Sequence, residues 1–364
     1  MKIGIDAKWY ISGNPSGKVV VENLVNELIT LDLQYEIILF LQRKDKSNAH
    51  ILEEKCKNKS HIKIVYCISS VNFLSNIFIV PFYAKKHKVD FCLYQNYTPF
   101  LFKDKIKNIT YIHDFLFLDY PQYYSLVERL VFRLMCVTAR FAKKIITISE
   151  SEKDRILKYT KIDSKNIEVV YHGVSEDFSP DNSQNEISLK LPEKYILFLG
   201  RINVRKNIQL LLSALPQIDE KYSLVIVGKK DHKTFNIDKY IIDLGIEKRV
   251  MLLGHVSYKD LLIILSKAKI FVFPSFAEGF GLPPIEAMKS GVPVVTSNAT
   301  CLPEVCGDAA LFFNPNDKYE LADKVNMLGS KILYESMKIK GIEKAKEFNW
   351  TKSAYKILDI IKNM

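Results

Sequence analysis

Cysteine is sparse in this chain, six in 364 residues, and the six are scattered at positions 56, 67, 92, 136, 301 and 306. Cys301 and Cys306 are close, but no second Cys or His pair completes a zinc set. In a chain this size, that scatter fits reduced thiols in a cytosol. Long apolar runs are also missing: the most apolar early stretch, VNFLSNIFIVPFY, is too short and interrupted to span a bilayer. The start, MKIGIDAKWY, carries an acid at position 6, which argues against a cleaved leader. Short-period repeats and low-complexity tracts are absent, and no Asp-x-Asp pair occurs anywhere. The expectation is a soluble, cytoplasmic protein whose chemistry uses no metal and no other cofactor.

What is present is enough for two cores. The length of 364 residues exceeds the usual single core, and 48% of the residues are apolar. The net charge is +11, shared by both halves, and suits anionic ligands, nucleic acid or an anionic bilayer. Local clusters lie in the first half: AKKHK at 84–88, KDKIK at 103–107, and the run VERLVFRLMCVTARFAKK. That run sets Arg129, Arg133 and Arg140 among apolar residues at helical spacing, so it can form an interfacial helix. An ordinary core-facing helix with a solvated basic side is the preferred reading.

Short apolar runs alternate with helical stretches. KIGID, EIILFL, FCLY, NITYIHD, KIITIS and IEVVYHGV read as buried strands, separated by helical stretches such as KVVVENLVNELITL. The segment 175–194 turns polar and aperiodic and reads as a linker, after which YILFLG, SLVIVG, VMLLGHV, IFVFPS and PVVTS resume the pattern. Two α/β domains with mainly parallel sheets follow, at 1–180 and 190–345, with a ligand cleft expected at the carboxyl ends of strands.

The stretch PSFAEGFGLPPIEAMKSGVPVV sets Glu278 and Glu286 around a glycine turn and a double proline, where a helix begins. Helix starts attract anions, so acids there need another partner. A ligand with both phosphates and hydroxyls supplies one, because a carboxylate accepts from neighbouring hydroxyls. After the strand YILFLG stand Arg201 and Lys206, a pair able to clamp a diphosphate, with Arg205 read as their solvent-facing neighbour. NITYIHD ends its strand at His113 and Asp114, where a His can bond a sugar or handle a proton. His172 and His255 also follow strands, more weakly as candidates. Near the start, Gly13 and Gly17 read as a loop before a helix that admits a phosphate or sugar.

Taken together, EGFGLPPIE with its E-x7-E spacing, GRINVRKN, the run from PSFAEGFG to ALFFNP, and the late FNWTKSA resemble the retaining family 4 glycosyltransferases of the GT-B fold. The likeness is close over 195 to about 353; IDAKWY and YIHD fit in the first half, whereas SGNPSGKVVVENL departs from the usual loop form. The resemblance implies an α/β GT-B fold and transfer of a sugar from a nucleotide diphosphate sugar to a glycan acceptor, free or lipid-linked. It implies that Glu278 meets the sugar hydroxyls and Glu286 the ribose. Backbone N–H groups of Phe280, Gly281 and Leu282 then meet phosphates or sugar, Arg201 and Lys206 the diphosphate, and His113 the sugar from the opposing domain. The last residues, 346–364, are expected as a helix returning to the first domain. IDAKWY and SNATCLPEVCGDAAL most resemble mannosyltransferases of surface-polysaccharide assembly, which favours GDP-mannose over GDP-fucose or a UDP-hexose. Peripheral contact with an anionic inner membrane is expected. A GT-B epimerase of sugar nucleotides and a nucleic-acid binder are the alternatives; no nucleic-acid module accompanies the charge, so no nucleic acid is expected as a partner.

Overall fold

The computed structural model describes every residue except Asn14, Asp32, Leu33 and 232–234, and of Pro15 only the backbone. The chain divides into two compact units, Met1–Gly173 with Trp350–Met364, and Val174–Asn349.

The first unit is built on a seven-stranded parallel sheet of β1 (Lys2–Asp6), β2 (Glu36–Gln42), β3 (Ile62–Cys67), β4 (Phe91–Gln95), β5 (Lys107–Tyr111), β6 (Lys144–Thr147) and β7 (Ile167–Val169). Their spatial order is 3-2-1-4-5-6-7. The interior strands are continuous apolar runs because crossover helices cover both faces of a parallel sheet. The helix Trp350–Lys362 belongs to this unit and buries Trp350, Ala354, Ile357, Leu358 and Ile361 at helical spacing. Thr351 Oγ1 donates to Glu27 at 2.7 Å, and Ser353 Oγ donates to the Tyr171 carbonyl at 2.6 Å.

The second unit repeats the design with β8 (Tyr195–Leu199), β9 (Ser223–Val227), β10 (Val250–Gly254), β11 (Ile270–Phe273), β12 (Val294–Ser297) and β13 (Ala310–Phe313), ordered 10-9-8-11-12-13. Its core joins Ile196, Phe198, Leu224, Ile226 and Val272 of the sheet to Ile208, Leu211 and Leu212 of a covering helix. Each such fully buried side chain contributes about 2 kcal/mol relative to exposure. The segment read as a linker belongs to this unit: Phe178 is buried edge-on against Tyr258, and Pro180–Gln184 forms a short 3-10 helix.

In each sheet the strand order reverses once, between β1 and β4 and between β8 and β11. Open α/β sheets bind ligands at that reversal, outside the carboxyl ends of the strands, because loops there part to opposite faces. Two readings of local structure change. Gly17 does not sit in a loop: it is buried in the first turn of the helix Pro15–Thr30, while Asn14 of that stretch lies outside the described residues. The helix Leu126–Ala139 does not present a merely basic side to solvent, since Leu126, Leu130 and Val137, exposed by 72%, 67% and 50%, share its outer stripe with Arg133 and Arg140. Its inner side buries Met135, Thr138 and Ala139.

Candidate active site

The β8 and β11 loops bring Glu278, Arg205 and Lys206 into contact. Lys206 Nζ lies 2.7 Å from Glu278 Oε1 and 4.6 Å above the Phe273 ring, and Arg205 Nη1 lies 3.1 Å from Glu278 Oε2. Arg205 also donates to the Ala277 carbonyl, and the Phe276 N–H donates to the Arg205 carbonyl at 2.9 Å, so the two loops are laced together. Arg205 is therefore not the solvent-facing neighbour that the sequence suggested. The outward position belongs to Arg201, whose side chain is 60% exposed and pairs with Asp231. Burial works to raise the pKa of Glu278, and Arg205 and Lys206 outweigh it, holding the carboxyl at about 2. Lys206 is lowered by its own burial, against the pull of Glu278.

Thr300 clips the backbone of Glu278. Its hydroxyl accepts from the Glu278 N–H at 3.0 Å and donates to the Glu278 carbonyl at 2.9 Å, to which Cys301 Sγ also donates at 3.2 Å. Thr300 sits at φ +51°, a costly conformation for a β-branched residue, held here by those contacts. Gly281, at φ +97°, precedes the helix Leu282–Lys289, and a Cβ there would lie 2.7 Å from Leu302 Cδ2. Only glycine passes. Pro283 and Pro284 follow in the first turn, where no intrahelical N–H partner is lost. The Phe280 ring is packed away, edge-on to Phe348 at 5.6 Å. Glu286 stands half-buried on the helix, and burial raises its pKa to about 7 with Lys206 opposing.

In the first unit, His113 lies two residues beyond β5 rather than at its end. Its Nε2 is 2.8 Å from Gln95 Oε1, and its N–H donates to Asn96 Oδ1 at 3.1 Å. Trp9 and Tyr111 flank the ring at 5.1 and 4.9 Å. Burial lowers its pKa to about 3, so the imidazole is neutral. Asp114 accepts from the Leu116 N–H at 3.3 Å, shaping the turn after it. His172 is buried between Tyr111 and Trp350, and His255 is exposed after the edge strand β10. None of the six cysteines forms a disulfide.

Sequence reasoning missed Arg205, Thr300, Asp231, Gln95 and Asn96. Asn96 alone carried a local signal, since a left-handed residue at φ +69° just after a strand favours Asn.

Comparison with known proteins follows the same division. The family model described as "Glycosyltransferase Family 4" matches residues 17–178, and that described as "Glycosyl transferases group 1" matches 180–344. An O-antigen chain mannosyltransferase B of Escherichia coli is 31% identical over 268 residues, 69% of this chain and 70% of that protein. The O-antigen chain mannosyltransferase RfbU of Salmonella typhimurium is 34% identical over 208 residues, 57% of this chain and only 56% of that protein. Among solved structures, sucrose-phosphate synthase from Thermosynechococcus elongatus superposes with TM-score 0.77 at 18% identity, covering 100% of this chain and 98% of that one.

Proposed function

Because this chain belongs to the GT-B glycosyltransferases, we propose that it moves a hexose from a nucleoside diphosphate to a glycan, with GDP-mannose as donor and a growing polysaccharide, free or lipid-linked, as acceptor. The observation that carries this reading is the gathering of Glu278, Arg205 and Lys206 on the β8 and β11 loops, with Glu286 on the helix that follows, beside the point where strand order reverses. Two cations face one ionised carboxylate there, a local positive excess suited to a diphosphate. The choice of mannose rests on the two relatives above, both described as O-antigen chain mannosyltransferases.

In this reading Arg201 and Lys206 take the diphosphate, with Arg205 holding Glu278 in place. Glu278 accepts from hydroxyls of the transferred sugar, Glu286 accepts from the ribose, and backbone N–H groups of Phe280, Gly281 and Leu282 meet phosphate or sugar. His113 meets a hydroxyl of the sugar, and Gly17 and Asp114 line the acceptor side. Glu278 is clamped between two cations and is a poor nucleophile, so we favour same-face substitution over a covalent glycosyl intermediate. The bond from the anomeric carbon to the phosphate oxygen breaks, the acceptor oxygen bonds to that carbon, and its proton passes to the departing phosphate. Arg201, Lys206 and the start of the helix Leu282–Lys289 stabilise the charge that the phosphate gains.

The first unit is proposed to dock on the anionic cytoplasmic face of the inner membrane through the outer stripe of the helix Leu126–Ala139, each nearby Lys or Arg contributing about 1 kcal/mol. No helix among the described residues is long and apolar enough to cross a membrane. Product formed from GDP-mannose with EDTA present, read by NMR, is expected to be α-linked. A β-linked product or a strict need for divalent metal refutes the mechanism; transfer only from another donor refutes the choice of GDP-mannose. Sedimentation with vesicles should depend on anionic lipid and on salt.

A further inference from the structure

The carboxyl end of β1 carries a buried ion pair. Lys8 Nζ donates to Asp6 Oδ2 and to Asn76 Oδ1, with the Lys8 and Asp6 side chains 3% and 0% exposed. Buried charges are costly, and breaking such a pair by removing one partner leaves the other charge uncompensated, so the network around it is held firmly. Asn76 Nδ2 donates to the Gln95 carbonyl at 2.7 Å, and the Gln95 N–H donates to Asp6 Oδ2 at 3.3 Å. Both backbone groups of Gln95 are thus tied to that network. Its side chain reaches outward to His113 Nε2 at 2.8 Å, while Asn96, the next residue, accepts from the His113 backbone N–H through its Oδ1.

We propose that Gln95 is a positioning residue: it holds His113 as the Nε2–H tautomer, leaving Nδ1 as an acceptor for a hydroxyl of the transferred sugar. An amide Oε1 can only accept, so the contact with Nε2 requires a hydrogen on that nitrogen. Burial keeps the ring neutral, so the other nitrogen keeps its lone pair. Trp9 and Tyr111, packed against the ring, restrict its rotation out of that contact. His113 then recognises a group that donates, a hydroxyl, and discriminates against a donor sugar lacking it. This rests on the transfer reading above.

The test reads the tautomer directly. In protein labelled with 15N-histidine, and with His113→Ala used to assign the signals, the His113 ring should show the Nε2–H pattern. An Nδ1–H pattern in the wild type overturns the inference without any variant. Gln95→Met keeps the volume and removes the acceptor; it should mix the tautomers and lower kcat with GDP-mannose about three- to tenfold, the usual range for one lost hydrogen bond, with KM within about twofold. Gln95→Glu keeps an acceptor oxygen there and should restore the Nε2–H pattern. Unchanged ring signals and turnover in Gln95→Met, with turnover lost in His113→Ala, overturn this inference alone. Wild-type turnover in His113→Ala overturns the role of His113 and this inference with it.

Discussion

Glu286→Gln should make the protein more stable at alkaline pH and a weaker nucleotide binder. The carboxyl ordinarily titrates near 4.5, and burial raises it to about 7 in the folded chain. Between those values the folded state binds more protons than the unfolded one, so this group's contribution to stability declines as pH rises from about 4.5 through 7 and is level above. The rise corresponds to at most about 3 kcal/mol at 1.36 kcal/mol per pH unit, and less to the extent that the half-buried carboxyl keeps solvent contact. Gln keeps the shape and removes the titration. Urea denaturation at pH 5 and pH 8.5 should therefore show the variant gaining about 1 to 3 kcal/mol on the wild type between the two conditions. Calorimetry with GDP should show the opposite face of the same charge: wild-type affinity rising from pH 6 to 8 as Glu286 ionises to accept ribose hydroxyls, and the variant lacking that component. Titrating both proteins together removes the nucleotide's own phosphate ionisation from the comparison. A stability difference independent of pH would refute the desolvation argument, and an affinity difference independent of pH would refute the ribose role.

Arg201 and Lys206 should separate in the same assays. Arg201→Ala is expected to cut turnover on the order of a hundredfold, with stability, by urea unfolding, within about 0.5 kcal/mol because the side chain is exposed. Lys206→Ala should cut turnover as deeply and also cost up to about 3 kcal/mol, because Glu278 stays buried with Arg205 as its remaining cationic partner; unchanged stability would contradict that burial. Thr300→Val keeps the branched shape and removes the hydroxyl that meets Glu278 twice, so about 1 to 3 kcal/mol of stability and part of the turnover should go, read by urea unfolding and kcat. Gly228→Ala should be strongly destabilising, since a Cβ there would lie 1.9 Å from the Gly200 carbonyl oxygen; a wild-type melting curve would show that these two strand ends part easily.

The two-sheet architecture was legible because parallel strands covered on both faces are continuous apolar runs, and eleven of the thirteen strands among the described residues announce themselves by such runs. Of the two that did not, β3 carries the charged Lys63 within its run IKIVYC, and β13 is the short run ALFF; both lie at sheet edges. Glu278 and Glu286 were legible for a related reason. Their spacing, the glycine turn and the prolines are local features that the backbone enforces within nine residues.

Pairings that close over long separations were decided by the tertiary structure alone. Arg205 and Lys206 meet Glu278 across more than seventy residues, and at the level of sequence Arg201 and Arg205 are equivalent cations on one short loop. Which of them turns inward depends on where the β11 loop places its carbonyl and carboxylate. Similarly, Gln95 reaches His113 across 18 residues because β4 and β5 lie side by side in the sheet, and Lys8 reaches Asn76 across 68 where the helical turn Ser75–Ile79 meets the end of β4. The chain specifies locally which residues can fold into strands and helix starts. The order in which those strands assemble then selects which polar groups share a desolvated space, and that sharing sets their charge states.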